Sequence, residues 1–150
     1  EDFLRKCRSS SLVVKPKDLS SAEEVGRRIL SITSSVRLIL YVCDLRFLIL
    51  STGISNIFSG ILVPIEVISG IGEEVLRDIL RILKKVFRWV WVDLQEALPS
   101  VDLICTLMKA GIRDFMLGDD TTFKQAQLIL RAERRVLLDI AISKLNEGDD

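Results

Sequence analysis

Residues 47–65, FLILSTGISNIFSGILVPI, contain no charged side chain, although Asp, Glu, Lys and Arg make up 28% of the 150-residue chain. The length of this segment meets the requirement of about 17–25 residues for a membrane-spanning helix. Pro64 argues against a span, because it lacks the N–H that a continuous helix requires. Ser51, Ser55 and Ser59 recur every four residues, and small side chains at that spacing let helices pack closely. We therefore interpret the segment as the buried centre of a soluble domain, with membrane contact as the alternative.

Most of the remaining chain shows helical periodicity. Apolar residues recur every three or four positions over residues 21–50, 54–69, 73–98, 101–110 and 122–145. The stretch 73–98 is the clearest, because Glu73 and Glu74 favour a helix N-terminus and Pro99 ends the pattern. Outside a short extended run at 11–14, SLVV, we identify no strand. The patterns predict an all-α fold, an antiparallel bundle of about five helices around an apolar central helix or hairpin.

The chain has the size of one domain. We predict an N-terminal arm or connection over residues 1–20, a single helical-bundle domain over 21–147 and a frayed acidic end over 148–150. The chain begins at Glu1 without a signal peptide, which suggests a domain of a larger protein or a processed product.

Polar residues before several apolar stretches predict where helices begin. A capping box at residues 20–23 predicts a helix start near Ser21, and Ser100 is placed to cap the next-to-last helix. Thr122 and Gln125 form a second capping box. In the last helix, the pattern predicts that apolar side chains face inward, namely Phe123, Ala126, Leu130, Leu137, Ile140 and Ala141.

The chain lacks the residues that most catalytic mechanisms require. The chain has no histidine, which removes the commonest general base and metal ligand. None of its cysteines is spaced as a zinc-ligand pair, and no glycine-rich loop has the phosphate-binding pattern. We predict no catalytic, cofactor-binding or metal-binding residue, no small-molecule substrate and a protein that is not an enzyme. The formal net charge of zero also argues against a nucleic-acid partner.

One helical stretch carries candidate partner-binding residues. Cations at three- and four-residue spacing line one predicted helix face, and two tryptophans follow them. The residues are Arg77, Arg81, Lys84, Lys85, Arg88, Trp89 and Trp91. Such a face is typical of a solvated bundle helix, of a helix in a receptor groove or of a helix on an anionic membrane. The tryptophans are the first candidate anchors, because this residue type is enriched at interface hot spots.

The sequence predicts a non-enzymatic interaction or assembly domain that binds another protein chain or dimerises with itself. The alternative is a membrane-associated helical domain that uses segment 47–65 and a basic amphipathic helix over 73–98. Cys7, Cys43 and Cys105 are odd in number and far apart in sequence, which predicts an intracellular, reducing compartment, with a membrane surface as the alternative location.

Overall fold

The computed structural model describes residues 11–148, which form a five-stranded, all-parallel β-sheet with helices between the strands. The strands follow each other across the sheet in sequence order. They are β1 (Ser11–Val14), β2 (Arg37–Tyr41), β3 (Gly60–Pro64), β4 (Trp89–Asp93) and β5 (Phe115–Met116). Residues 1–10 of the predicted arm and 149–150 of the predicted acidic end lie outside the described residues.

Six α-helices lie within residues 11–148. They are α1 (Leu19–Ile32), α2 (Leu45–Leu50), α3 (Ile65–Ile68), α4 (Glu73–Val86), α5 (Val101–Lys109) and α6 (Thr122–Gly148). A 3-10 turn, Ser51–Ile54, follows α2 directly. The fold is therefore α/β, and the prediction of an all-α antiparallel bundle is wrong.

The error comes from the strands that are buried on both sides. The sequence of β3, GILVP, is buried at every position, and the middle three residues of β2, RLILY, are buried as well. Such strands are continuous apolar runs without the alternation of a half-exposed strand, and periodicity cannot distinguish them from buried helix. The predicted helix over 73–98 ends at Val86, and β4 begins three residues later at Trp89. Only the extended run at 11–14 was identified in advance, and it forms β1.

The helices cover one face of the sheet. Strand residues such as Leu40, Ile61 and Val90 share a buried cluster with helical residues such as Leu80 and Ile104. Each crossover joins neighbouring strands, and right-handed crossovers of this kind place successive helices on the same side. Ile39 and Leu62 are also buried, but they lie outside this cluster because they point to the other face.

Segment 47–65 crosses four short elements. It contains the end of α2, the 3-10 turn, all of β3 and the first residue of α3. Pro64 is the last residue of β3 and the N-cap of α3. Among the helices of residues 11–148, none combines the length and the apolar character needed to cross a bilayer. Its last part is buried in the middle of the sheet as β3, whereas Ile49 and Leu50 in α2 are 56% and 47% exposed.

Three side chains cap helices at the ends of preceding strands or loops. Asp18 accepts a hydrogen bond from the Ser21 amide at 2.7 Å, so α1 begins at Leu19, two residues before the predicted start. The Asp44 side chain caps α2 by accepting a hydrogen bond from the Phe47 amide at 2.7 Å. The Ser100 cap was predicted correctly, and its hydroxyl accepts from the Leu103 amide at 3.2 Å.

The predicted capping box of Thr122 and Gln125 does not form. The Thr122 hydroxyl instead donates to the Gly118 carbonyl. Gln125 is fully buried, and its amide group accepts from the Gly118 N–H at 2.7 Å and donates to the Gln95 and Ala97 carbonyls at 2.9 and 2.8 Å. One side chain thus joins the loops after β4 and β5.

The inward face of α6 also differs from the prediction. Phe123, Leu130 and Leu137 are 74%, 54% and 59% exposed. The helix instead buries Gln125 and Ala132 against the rest of the fold. The apolar pattern of α6 failed as a guide because the helix has exposed apolar residues on more than one side.

We expect Gly26→Val to lower the free energy of unfolding by about 2 kcal/mol, a typical cost of overpacking a core. A Cβ at Gly26 would lie 2.5 Å from Ile57 Cγ2 and 3.2 Å from the Phe58 ring. Helix α1 therefore approaches the loop after the 3-10 turn too closely to carry a side chain at this position. Urea denaturation followed by circular dichroism measures the effect. Gly53→Ala is the control, because no atom lies within 4 Å of a Cβ there, and an equal loss in both variants would contradict the close approach.

Candidate interaction surface

The side of the sheet opposite the helices is the candidate site, and we call it the open face. Strand register places its residues in rows across the sheet, for example Val13, Ile39, Gly60 and Trp89, and then Tyr41, Leu62 and Trp91. Within residues 11–148, no helix contributes to a buried cluster on this side. The rows therefore present an apolar and aromatic surface on which the described part of the chain packs no helix.

Exposure on the open face differs between the centre of the sheet and its β1 edge. Ile39 and Leu62 are 1% and 2% exposed, whereas Val13 at the β1 edge is 45% exposed. Leu62 lies between Tyr41 and Trp91 in its row, and cross-strand neighbours of this size shield a smaller side chain. The tryptophans and Tyr41 are partly exposed. They form the outer layer that a partner would meet.

Cations lie over the aromatic rings of this face. The guanidinium groups of Arg37 and Arg88 lie 5.0 and 4.7 Å from the Trp89 ring centre. The Lys15 ammonium group lies 4.6 Å from the centre of the Tyr41 ring. Such cation–π contacts are attractive and restrict long side chains that would otherwise be free.

The charges of the open face differ along the strand direction. Arg37 and Arg88 lie at or before the first residues of β2 and β4, whereas Asp93 ends β4. Burial raises the pKa of the Tyr41 phenol, and the carboxylates of Asp93 and Glu66 raise it further. Tyr41 is therefore a neutral hydroxyl at physiological pH. The open face as a whole combines apolar area with charges of both signs.

A shallow depression lies between the last two strands. It has a volume of about 500 Å³ and is lined by Trp89, Trp91, Asp114, Phe115 and Met116. The depression lies where β5, which has only two residues, pairs with Val92 and Asp93 and leaves the first half of β4 without a strand beside it. An apolar side chain of a partner would fit against the two indoles there.

The structure separates the predicted partner-binding residues into two groups. Trp89, Trp91 and Arg88 come together at the open face. The four other cations are exposed on α4, whose buried residues, Leu76, Leu80 and Leu83, pack on the opposite side of the sheet. Those cations are Arg77, Arg81, Lys84 and Lys85, and Arg77 pairs with Glu73 at 2.5 Å. The single basic and aromatic helix face of the prediction does not exist.

Sequence reasoning missed the other members of the open face, which are Arg37, Tyr41 and Lys15. A signal was present in the sequence WVWVD, where the tryptophans alternate with Val90 and Val92. Such two-residue alternation is typical of a half-exposed strand. Without the strand register, however, nothing in the sequence places Tyr41 or Arg37 beside this stretch.

Polar residues at the carboxyl ends of the strands have structural partners. Asp18 and Asp44 cap helices, and Asp93 accepts a hydrogen bond from the Gln95 amide at 2.9 Å. Ligand crevices in open α/β sheets form where the strand order reverses, and this sheet has no reversal. Within the described part of the chain, no three acidic or cysteine side chains are grouped as a metal site.

No family model matches the chain, and no curated protein matches it either. The geometry of the open face is thus the basis on which its function is proposed.

Proposed function

We propose that this chain is a non-enzymatic protein-interaction domain and that the open face is its contact surface. The observation that carries the proposal is a parallel sheet with one face covered by helices and the other left uncovered by residues 11–148. All-parallel sheets occur almost only with both faces covered, because their strands are apolar on both sides. A second protein surface would supply the missing layer.

The chemistry of the face supports a protein partner. Tryptophan, tyrosine and arginine are the residue types that are enriched at interface hot spots, and all three occur on this face, where Arg37 and Arg88 contact the Trp89 ring. Cations and carboxylates are mixed, so the face lacks the uniform positive field that attracts nucleic acid. A partner with apolar side chains and a few charges of each sign would complement it.

We expect a photoreactive residue at Val13 to form a covalent adduct with one partner protein in cells that express the domain. Val13 is 45% exposed on the open face, so a partner that covers this face comes within reach of it. The matched control is the same residue at Ile82, which is 54% exposed on α4 on the other side of the molecule. Mass spectrometry of the adducts identifies the linked chain.

Two variants test whether the adduct depends on the aromatic residues. Trp91→Ala removes an anchor, and Met116→Glu adds a charge at an exposed position beside the depression without opening a core cavity. Both are expected to reduce the adduct at least about tenfold, the effect of losing one hot-spot side chain. The same adducts from positions 13 and 82, or an adduct unchanged in both variants, would contradict the proposal.

A membrane role would give a different result. The exposed cations of α4 are the part of that alternative that remains, because residues 47–65 are largely buried within the fold. Flotation of the purified domain with anionic liposomes, lost on replacing Arg81 and Lys85 with glutamate, would favour the membrane alternative over the proposed one.

A further inference from the structure

The open face carries two neighbouring cations at the end where its strands begin. The guanidinium groups of Arg37 and Arg88 both lie within 5.0 Å of the Trp89 ring centre, so they are no more than about 10 Å apart. Within residues 11–148, neither arginine forms an ion pair. Two such cations repel each other, so a carboxylate brought close to both would be bound favourably.

Carboxylates lie toward the other end of the same face. Asp93 ends β4 and, by the alternation of strand residues, points to the same side as Trp89 and Trp91. Asp114 is exposed and lines the depression beside the two indoles. In the described part of the chain, neither carboxylate belongs to an ion pair. The strand β4 thus runs from a cation at Arg88 to an anion at Asp93.

This arrangement of charges is self-complementary. When two open faces meet about a two-fold axis perpendicular to the strands, β4 of one copy lies over β4 of the other and runs in the opposite direction. The Arg88 end of each copy then meets the Asp93 end of the other, and the contact occurs twice. A two-fold axis along the strands would bring the arginine ends together, which is repulsive. The charges therefore select the first orientation.

The apolar rows suit the same orientation. With the axis between the row of Trp89 and the row of Trp91, each Trp89 faces Trp91 of the second copy. Paired aromatic rings of this kind stabilise an interface beyond the area that they bury. Gly60, which has no side chain, would lie opposite Leu62 of the second copy, so the centre of the interface can close.

The remaining charges of the face are compatible with this orientation. Lys15, which lies near the Tyr41 ring, would be over β1 of the second copy, where residues 11–14 carry no charge. Glu66 lies close enough to Tyr41 for its carboxylate to raise the pKa of the phenol, which places it at the acidic end. That end meets the arginines of the second copy.

We propose that the open face is a homodimer interface, in which two copies pack sheet on sheet with their β4 strands in opposite directions. This inference rests on the proposed function, because it names a second copy of the chain as the partner of the same surface. Five strands of up to five residues make a face of about 24 by 17 Å. That area is small for a permanent dimer, so we expect a dissociation constant in the micromolar range.

The first test is the mass of the purified chain, measured by sedimentation equilibrium over a range of concentrations under reducing conditions. We expect an equilibrium between monomer and dimer. Arg88→Glu and, separately, Trp91→Ala should each raise the dimer dissociation constant at least about tenfold, because each change affects two symmetric contacts. The control Lys85→Glu makes the same charge change at an exposed position of α4 and should leave the dissociation constant unchanged.

The second test is the orientation of the two sheets, measured by mixing Arg88→Glu with Asp93→Lys. Each variant alone brings like charges together and should be mainly monomeric. The mixture should form a heterodimer with nearly the original affinity, because opposite charges then meet at both symmetric contacts. The two positions lie at opposite ends of β4, so the recovery can arise only between copies. Circular dichroism checks the fold of Asp93→Lys, which removes the acceptor for the Gln95 amide, and the first test decides the interface if that variant does not fold.

The outcomes separate this inference from the proposed function. A chain that stays monomeric, while the adduct from position 13 in cells joins it to a different protein, would overturn the homodimer and leave the proposed function standing. A monomer whose adduct is unchanged by Trp91→Ala would overturn both. A dimer that survives Arg88→Glu and Trp91→Ala would use another surface and contradict this inference, and a mixture that forms no heterodimer would contradict the orientation.

Discussion

Phe58→Ala is expected to lower the free energy of unfolding by about 4 kcal/mol, the typical cost of removing a buried phenylalanine ring. Phe58 is 1% exposed and belongs to the core cluster between the sheet and its helices. Its ring lies beside Gly26 of α1, where the helix has no side chain to fill the space that the ring would leave. Chemical denaturation followed by circular dichroism measures the loss.

Phe123→Ala is the matched control, because Phe123 is 74% exposed at the start of α6. We expect a change within about 0.5 kcal/mol there, as for most surface substitutions. A loss below about 1 kcal/mol for Phe58→Ala would contradict its position in the core.

Gln125→Ala is expected to lower the free energy of unfolding by about 3 kcal/mol. Its side chain makes three buried hydrogen bonds to the backbone of two loops, and alanine would leave one N–H and two carbonyls without those partners. The Gln95 carbonyl belongs to a residue with a φ of 53°, a conformation that costs free energy unless its surroundings hold it. Without the hydrogen bond from Gln125, Gln95 would no longer be held in that conformation.

Gln127→Ala is the control for this substitution, since Gln127 is exposed two residues further along the same helix. Hydrogen exchange should show faster exchange at the Gly118 amide in Gln125→Ala and not in Gln127→Ala, because Gln125 is the acceptor for that amide. Equal stability of the two variants would show that the loops do not depend on this side chain.

Local features of the sequence predicted local features of the structure. The start of α4 at Glu73 and the Ser100 cap depend on side chains and backbone groups within a few residues of each other, and both were predicted correctly. The run SLVV at 11–14 was also identified as extended, because its β-branched pair precedes a proline by only one residue.

The candidate site was predicted only in part. Trp89 and Trp91 were chosen because of their residue type, and their position on the open face leaves the prediction standing as a proposal. Arg77 and Arg81 were grouped with them through a helical spacing that ends at Val86, before the tryptophans. Tyr41 belongs to the same surface through a strand pairing that no spacing along the chain expresses.

The sequence by itself favoured burial of residues 47–65, since nothing in the segment is charged and its neighbours are amphipathic, and most of the segment is buried, although Ile49 and Leu50 are 56% and 47% exposed. Only the tertiary structure decided that its last part, GILVP, is a strand. The hydrogen bonds of a helix lie within one segment, whereas those of β3 come from β2 and β4, which are distant in sequence. The same pairing turned the other side of the sheet into an aromatic surface, because alternate residues of each strand point away from the helices.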